Sequence, residues 1–283
     1  MTTAHFLKKP PCVLSIAGSD TSGGAGIQAD IKTISACGAY ALTAITAITA
    51  QNSHGVQGSW PVSAVQLQQQ ILCSVSAQPV AIKVGMLANA ELVDVLVAIL
   101  QQHKDIPVIL DPVLIASSGT HLLDDAGINH LRDDLLPLAT LITPNIYEAR
   151  VLFGTNFMPA AHAWAQQTGV AVLITGGDKV AGYNDHEKNC SDIFIHGKHQ
   201  EILSSPRIKT SNNHGAGCTL SSAIASFIAQ KQALISAIQN ARGYVYGALL
   251  AVQSDTQTNA GALHHFHAFS TPNFQQNTPI NSF

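Results

Sequence analysis

Short β-branched runs alternate with longer amphipathic stretches along most of this chain, and that alternation limits the fold more than any other feature. "CVLSIAG" reads as a strand, and "GIQADIKTISACG" as a helix closed by Gly38. The run "ALTAITAITAQ" has a period-three look, but its β-branched Thr and Ile favour a strand. A helix at "VSAVQLQQQILCSVSA", a strand at "VAIKVG", a helix at "NAELVDVLVAILQQHK" capped by Asn89 and a strand at "IPVILDP" follow. The pattern continues through the strand "ATLITPN", a helix from "IYEARVLFG" and the strand "VAVLITGG". "SDIFIH" and "QEILSS" predict a hairpin turning near Gly197, and "GCTLSSAIASFIAQ" and "ALISAIQNARGYVYGALLAVQS" predict two closing helices.

Repeated β-α units predict an α/β fold with a mainly parallel sheet covered by helices on both faces. Neither a linker nor an internal repeat divides residues 1–283, so a single domain is expected, with a fraying tail after about Thr256. A composition of 46% hydrophobic and 11% charged residues supplies the core this needs. In such sheets ligands bind beyond the carboxyl ends of the strands. There, polar or glycine residues follow one apolar run after another: Gly18-Ser19-Asp20, Gln51, Gly85-Met86, Asp111, Thr143-Pro144-Asn145 and Gly176-Gly177-Asp178. The repetition points to one shared crevice.

Charge excludes some partners. The formal net charge is −3 with acids and bases scattered, so no basic stripe exists for a nucleic-acid backbone. "MTTAHFLKKPPC" lacks the apolar run of a signal peptide, and "AYALTAITAITA" is too short to span a bilayer. A cytoplasmic location is therefore the default expectation, and the five cysteines, odd in number with no C-x-x-C pair, argue for reduced thiols.

Three motifs carry chemistry. "AGSDTSGGAGIQAD" is dense in glycine and serine between a strand and a helix. It fits either a backbone cradle for a ligand or a flexible turn with a helix cap, and it matches neither standard dinucleotide nor P-loop spacing. "TPNIYEA" sets Asn145 and Glu148 three apart at a helix start. They suit a hydrated Mg²⁺, but the spacing alone favours a capping box. In "HGAGC", a turn at Gly215, Ala216 and Gly217 would converge N–H groups at the positive end of a helix dipole, an anion site for a phosphoryl group. The same field would lower the thiol of Cys218 from its usual ~8.5, letting it accept a proton near neutral pH; a small residue filling a tight helix start fits the pattern too. Among thirteen histidines, the "LHHFHAF" cluster reads as surface or subunit contact.

Together "LSIAGSDTSGGAGIQADIKTISACGAYALTAITAITAQN", "KVGML", "ILDPVLIASSG", "LLPLATLITPNIYEA", "NNHGAGCTLSSAIA" and "HHFH" resemble hydroxymethylpyrimidine/phosphomethylpyrimidine kinase, collinearly over about residues 12–268. The resemblance implies a ribokinase-like three-layer α/β/α sandwich, ATP and Mg²⁺, a homodimer, and two successive phosphorylations of an aminopyrimidine in thiamine biosynthesis. By the same resemblance Gln51 would hydrogen-bond the aminopyrimidine, with Gly18, Asp20, Met86 and Val113 around the ring. Gly215 to Gly217 would form the anion hole, and Cys218 would stand where sugar kinases carry an aspartate base. Asn145, Glu148, Asp111, Thr175 and Arg242 would face ATP and its phosphates, Glu148 indirectly through the metal. The chain departs from the family pattern at Ser117, Thr175 and Arg242, where lysines are usual, and at Asn213 and Ala216, where threonines are usual. Those departures bear on nucleotide use more than on pyrimidine binding. The competing readings are a pyridoxine-type vitamer kinase, a non-catalytic pyrimidine binder and, through His214, a cysteine hydrolase.

Overall fold

In β1 (Cys12–Asp20), Val13 packs into the core on one side of the sheet and Leu14 and Ile16 into the core on the other, all fully buried. That is the pattern of a central strand covered on both faces. The computed structural model describes residues 9–52, 55–115, 119, 121–176, 188–253 and 261–269. After β1 come α1 (Gly26–Ala36), β2 (Tyr40–Asn52), β3 (Gly55–Pro61), α2 (Ala64–Val75), β4 (Ala81–Val84), α3 (Ala90–Leu100), β5 (Val108–Leu110) and α4 (Asp125–His130). The chain continues through β6 (Leu141–Ile142), α5 (Ile146–Phe153), α6 (Phe157–Thr168), β7 (Ala171–Ile174), β8 (Asn189–His196), β9 (His199–Pro206), α7 (Ala216–Ala229) and α8 (Leu234–Leu250).

The strands form one sheet in the order β3-β2-β1-β4-β5-β6-β7-β8-β9. From β2 to β7 every neighbouring pair is parallel; β3 joins antiparallel at one edge, and the β8-β9 hairpin at the other. Two apolar cores flank the sheet. One packs α1, α7 and α8 on Val13, Ala81, Ile109 and Leu173; the other packs α2 to α6 on Leu14, Ile82, Leu110 and Ile174. The three-layer α/β/α arrangement is therefore the one the alternation predicts.

Local chemistry explains the helix starts. Ser63 and Gln66 close a capping box on α2, and the Asn89 side chain accepts the Leu92 N–H to start α3. Elements without a clear periodic signal also appear. The edge strand β3 is largely exposed and so has no buried alternation to display. Helix α4 runs into a π-helical turn over Leu131–Leu135, and α6 carries Pro159 within its first turn, where a missing N–H is tolerated. Gly177, Asp178, Ser117 and the tail from 270 onwards lie outside the described residues.

The strand order reverses at β1, with β2 on one side and β4 on the other. A crevice opens at such a switch point, beyond the carboxyl ends of the strands. Residues 261–269 return to its rim. The His214 N–H donates to the Gly261 carbonyl at 2.9 Å, and the Tyr244 hydroxyl of α8 donates to the His265 carbonyl. His265 is 3% exposed and so departs from the surface reading of the late histidine cluster, whereas His264 and His267 stay partly exposed.

Candidate active site

The crevice is walled by two loops and three strand ends. On the β1 side, the Asp20 carboxylate accepts the Ser22 N–H and hydroxyl and the Ala25 N–H, each at 2.8 Å, and the His214 Nε2–H at 2.9 Å. Burial alone would raise the Asp20 carboxyl, but these hydrogen bonds outweigh it and hold it at about 2. Gln51 is fixed through its backbone: its N–H donates to the Thr21 hydroxyl, which donates to the Gln51 carbonyl, both at 2.8 Å. The Gln51 side chain faces the cavity with Nε2 3.5 Å from His214 Nε2. Met86 is set by the Thr46 hydroxyl, which donates to its carbonyl at 2.6 Å, and its sulfur passes over Gly18.

The "HGAGC" turn closes the opposite side and leads into α7. Gly215 has φ +82°, and a Cβ there would lie 1.9 Å from the Gly24 carbonyl oxygen. One at Gly24 would lie 2.4 Å from the His214 ring. The two glycine-rich motifs, distant in sequence, thus pack backbone to backbone with no room for a side chain between them. The Gly26 N–H also reaches the Cys218 sulfur.

Beneath this turn lies a buried polar node. Lys83 and Asp30, both wholly buried, pair at 2.9 Å; the same carboxylate accepts the Ser15 hydroxyl at 2.5 Å and the Ser222 hydroxyl at 2.8 Å. Burial opposes the Lys83 charge, but the field of Asp30, helped by Asp111 and by the hydrogen bond to Asp30, outweighs it and keeps the ammonium protonated. Above it, burial pushes Asp111 up to about 6 against the pull of Lys83. Burial together with Asp111 pushes Glu148 up to about 8. Asn145 and Glu148 do form a capping box, with reciprocal bonds of 2.9 and 3.0 Å. The cap also holds the Glu148 carboxyl at the cavity.

Cys218 departs from expectation. Burial pushes its thiol up to about 12, with Lys83 and the Gly26 N–H opposing too weakly to reverse the direction. The dipole at the start of α7 does not make a resident thiolate, because desolvation is the larger effect.

One cavity gathers Gly18, Asp20, Gln51, Met86 and Val113 with Asp111, Asn145 and Glu148, and with Gly215, Ala216, Gly217 and Cys218. Thr175 and Arg242 do not line it. Thr175 donates its N–H to the Pro144 carbonyl, and Arg242 Nε pairs with Asp192 at 2.7 Å, while Asp192 also receives the Gly176 N–H. Lys83 and Asp30 escaped the sequence reading because nothing in their spacing announces burial; Thr21, an exposed residue, was missed because its two bonds to the Gln51 backbone need the fold. His214 was legible only as the neighbour of the anion turn, and its link to Asp20 needs the fold. Among the described residues no cluster of three or more His, Cys, Asp or Glu side chains forms a metal cage, and no helix is long and apolar enough to cross a membrane.

The chain is similar to proteins of known family. The profile of the phosphomethylpyrimidine kinase family matches residues 20–264. A hydroxymethylpyrimidine/phosphomethylpyrimidine kinase of Streptomyces coelicolor is 41% identical over 251 residues, covering 86% of this chain and 90% of its own. The crystal structure of phosphomethylpyrimidine kinase from Clostridium difficile superimposes with a TM-score of 0.72 at 34% identity, covering 84% of this chain and 99% of its own. Pyridoxal kinase from Staphylococcus aureus, in complex with AMP-PCP and pyridoxal, gives a TM-score of 0.78 at 28% identity over 91% of this chain and 94% of its own.

Proposed function

The chain belongs to the phosphomethylpyrimidine kinase family, and from that premise we propose that it transfers the γ-phosphoryl group of ATP to 4-amino-5-hydroxymethyl-2-methylpyrimidine, and then to the resulting monophosphate, in thiamine diphosphate biosynthesis. The observation that carries this reading is the single cavity in which Gln51 and Met86 face the anion turn and Cys218.

The ring sits against Gly18 and Met86, and Gln51 offers an amide that can pair with an aminopyrimidine edge. The hydroxymethyl oxygen then lies toward Cys218. The N–H groups at the start of α7 meet the charge of the phosphoryl group in flight. Asp111 and Glu148 supply hard oxygen donors, and burial raises both carboxyls, Asp111 against the pull of Lys83 and Glu148 with the added repulsion of Asp111. These residues fit Mg²⁺, which takes one or two carboxylates alongside phosphate oxygens and water and would offset phosphate charge there.

Cys218 takes the alcohol proton in the first transfer. A thiol held near 12 is seldom ionised at neutral pH, so that step runs on a small thiolate fraction. In the second transfer the nucleophile is a phosphate oxygen already bearing charge, and no base is needed.

Self-association as a homodimer is supported by the face formed by β2, β3 and α2. There Ile48, Trp60 and Val65 are each more than half exposed beside a groove lined by Ile45 and Val62. The likeness to pyridoxal kinases favours one second reading, a vitamer kinase whose substrate also carries a hydroxymethyl group. An ATP-coupled assay with the hydroxymethylpyrimidine, its monophosphate and pyridoxine in parallel tests both. Turnover of the two pyrimidines above pyridoxine is expected; turnover of pyridoxine alone would replace the first reading with the second.

A further inference from the structure

Thr219 follows Cys218 directly, and its hydroxyl has two partners. It donates to the Gly215 carbonyl at 2.8 Å and lies 3.2 Å from His265 Nε2, with both residues buried. A hydroxyl has one hydrogen to give. With that hydrogen given to Gly215, the Thr219 oxygen accepts from the imidazole in the His265 tautomer that carries its hydrogen on Nε2, which is the tautomer this chain requires. Burial, with Lys32 and His264 nearby, pushes the His265 imidazole down to about 4, so the ring is neutral and this tautomer is available at neutral pH. The hydrogen-bond chain therefore runs from His265 through Thr219 to the carbonyl of the positive-φ residue on which the anion turn bends.

His265 is itself held in place. Its carbonyl accepts the Tyr244 hydroxyl, and the segment carrying it pairs at Ala262 with His214, whose imidazole holds Asp20. The returning segment thus grips the turn at two points, its entry at His214 and its first helical turn at Thr219. His265 does not line the cavity.

We propose that His265 is a positioning residue for phosphoryl transfer, holding residues 215–218 through the Thr219 hydroxyl in the geometry that presents their N–H groups to the cavity. The kinetic part of the test rests on the kinase reading; the exchange part does not. Thr219→Val removes the hydroxyl at nearly constant volume, and His265→Phe removes the donor while keeping a ring. Each variant lowers kcat for the hydroxymethylpyrimidine about 10- to 100-fold with KM for the pyrimidine within about twofold, and each speeds amide hydrogen exchange of residues 213–218. Thr219→Ser restores both. Because the two side chains act in series, the double variant is no worse than the worse single one.

Losses that multiply in the double variant, or exchange in the turn that is unchanged by Thr219→Val, overturn the proposal. Should His265→Phe fail to fold, the Thr219→Val and Thr219→Ser pair still decides it. A wild-type protein with no turnover of the pyrimidine sinks the kinase reading alone, since the exchange measurement needs no substrate.

Discussion

The two ends of the cavity, the one proposed for the pyrimidine and the one proposed for phosphate, are built in opposite ways. At the pyrimidine end, Asp20 is surrounded by donors and held at about 2, and the Gln51 backbone and the Met86 carbonyl are pinned by threonine hydroxyls. At the phosphate end, burial pushes Asp111, Glu148 and Cys218 toward their protonated forms, with Lys83 the opposing charge acting on Asp111 and Cys218. One end is complete before a ligand arrives. At the other, burial disfavours the charged forms of all three groups. On the proposed assignment, recognition would rest on satisfied polar groups and reactivity on buried groups whose charged forms are disfavoured.

The sharpest way to break this contrast is Cys218→Ala. It is expected to slow the first phosphorylation by ~10²–10⁴-fold and the second by less than about tenfold, measured by product formation from each pyrimidine separately. The wild-type first step should also rise about tenfold per pH unit above neutrality while the second stays flat. Equal losses in both steps would remove Cys218 from the role of base.

Lys83→Met probes the node under the phosphate end. Removing one partner of a wholly buried pair leaves the Asp30 charge uncompensated, and a loss of about 3–5 kcal/mol is expected in urea denaturation. A loss under about 1 kcal/mol would show that the hydroxyls of Ser15 and Ser222 suffice for Asp30.

Gly215→Ala tests the joint between the two ends. Its Cβ meets the Gly24 carbonyl in a positive-φ conformation, so a fall in kcat of about 100-fold is expected, together with a lower melting temperature. Activity near wild type would mean that the backbone contact is dispensable.

The dependence of stability on pH is the most diagnostic measurement, because the two ends respond with opposite sign. Asp20 is lowered in the fold, so its stabilisation is present above the ordinary carboxylate range. It is lost as pH falls from about 4 to about 2, amounting to about 2 kcal/mol. Glu148 is raised, so the folded state keeps a proton that the unfolded chain releases, and stability falls as pH rises from about 4.5 to about 8. Asp20→Asn should flatten the acid limb and Glu148→Gln the neutral one, each followed by denaturation across pH.

How much of this was legible in the sequence differs from layer to layer. The parallel sheet followed from periodicity because β1, β4 and β5 are buried on both faces and α3 carries a clear apolar face. The exposed edge strand β3 and the proline-bearing α6 gave no such signal. At the site, the glycine motifs and strand ends named most of the cavity, since strand ends converge whenever a sheet is parallel. The state of Cys218 was misjudged because a helix dipole can be read from sequence and desolvation cannot. Lys83 and His265 were missed for a related reason: a charged or polar side chain looks like surface until its partners, here Asp30 and Thr219, are brought to it from distant segments.

The contact between Gly24 and Gly215 also sets an order of assembly. One residue follows the first strand and the other begins the next-to-last helix, so nearly the whole chain must be made before they meet. A nascent chain arrested after β9 would hold the wall that carries Gln51 and Met86 but lack the turn that faces it. Such long-range closure is slow compared with local folding. Catalytic competence should therefore be the last property to emerge during biosynthesis, which makes onset of turnover a clock for completion of the fold.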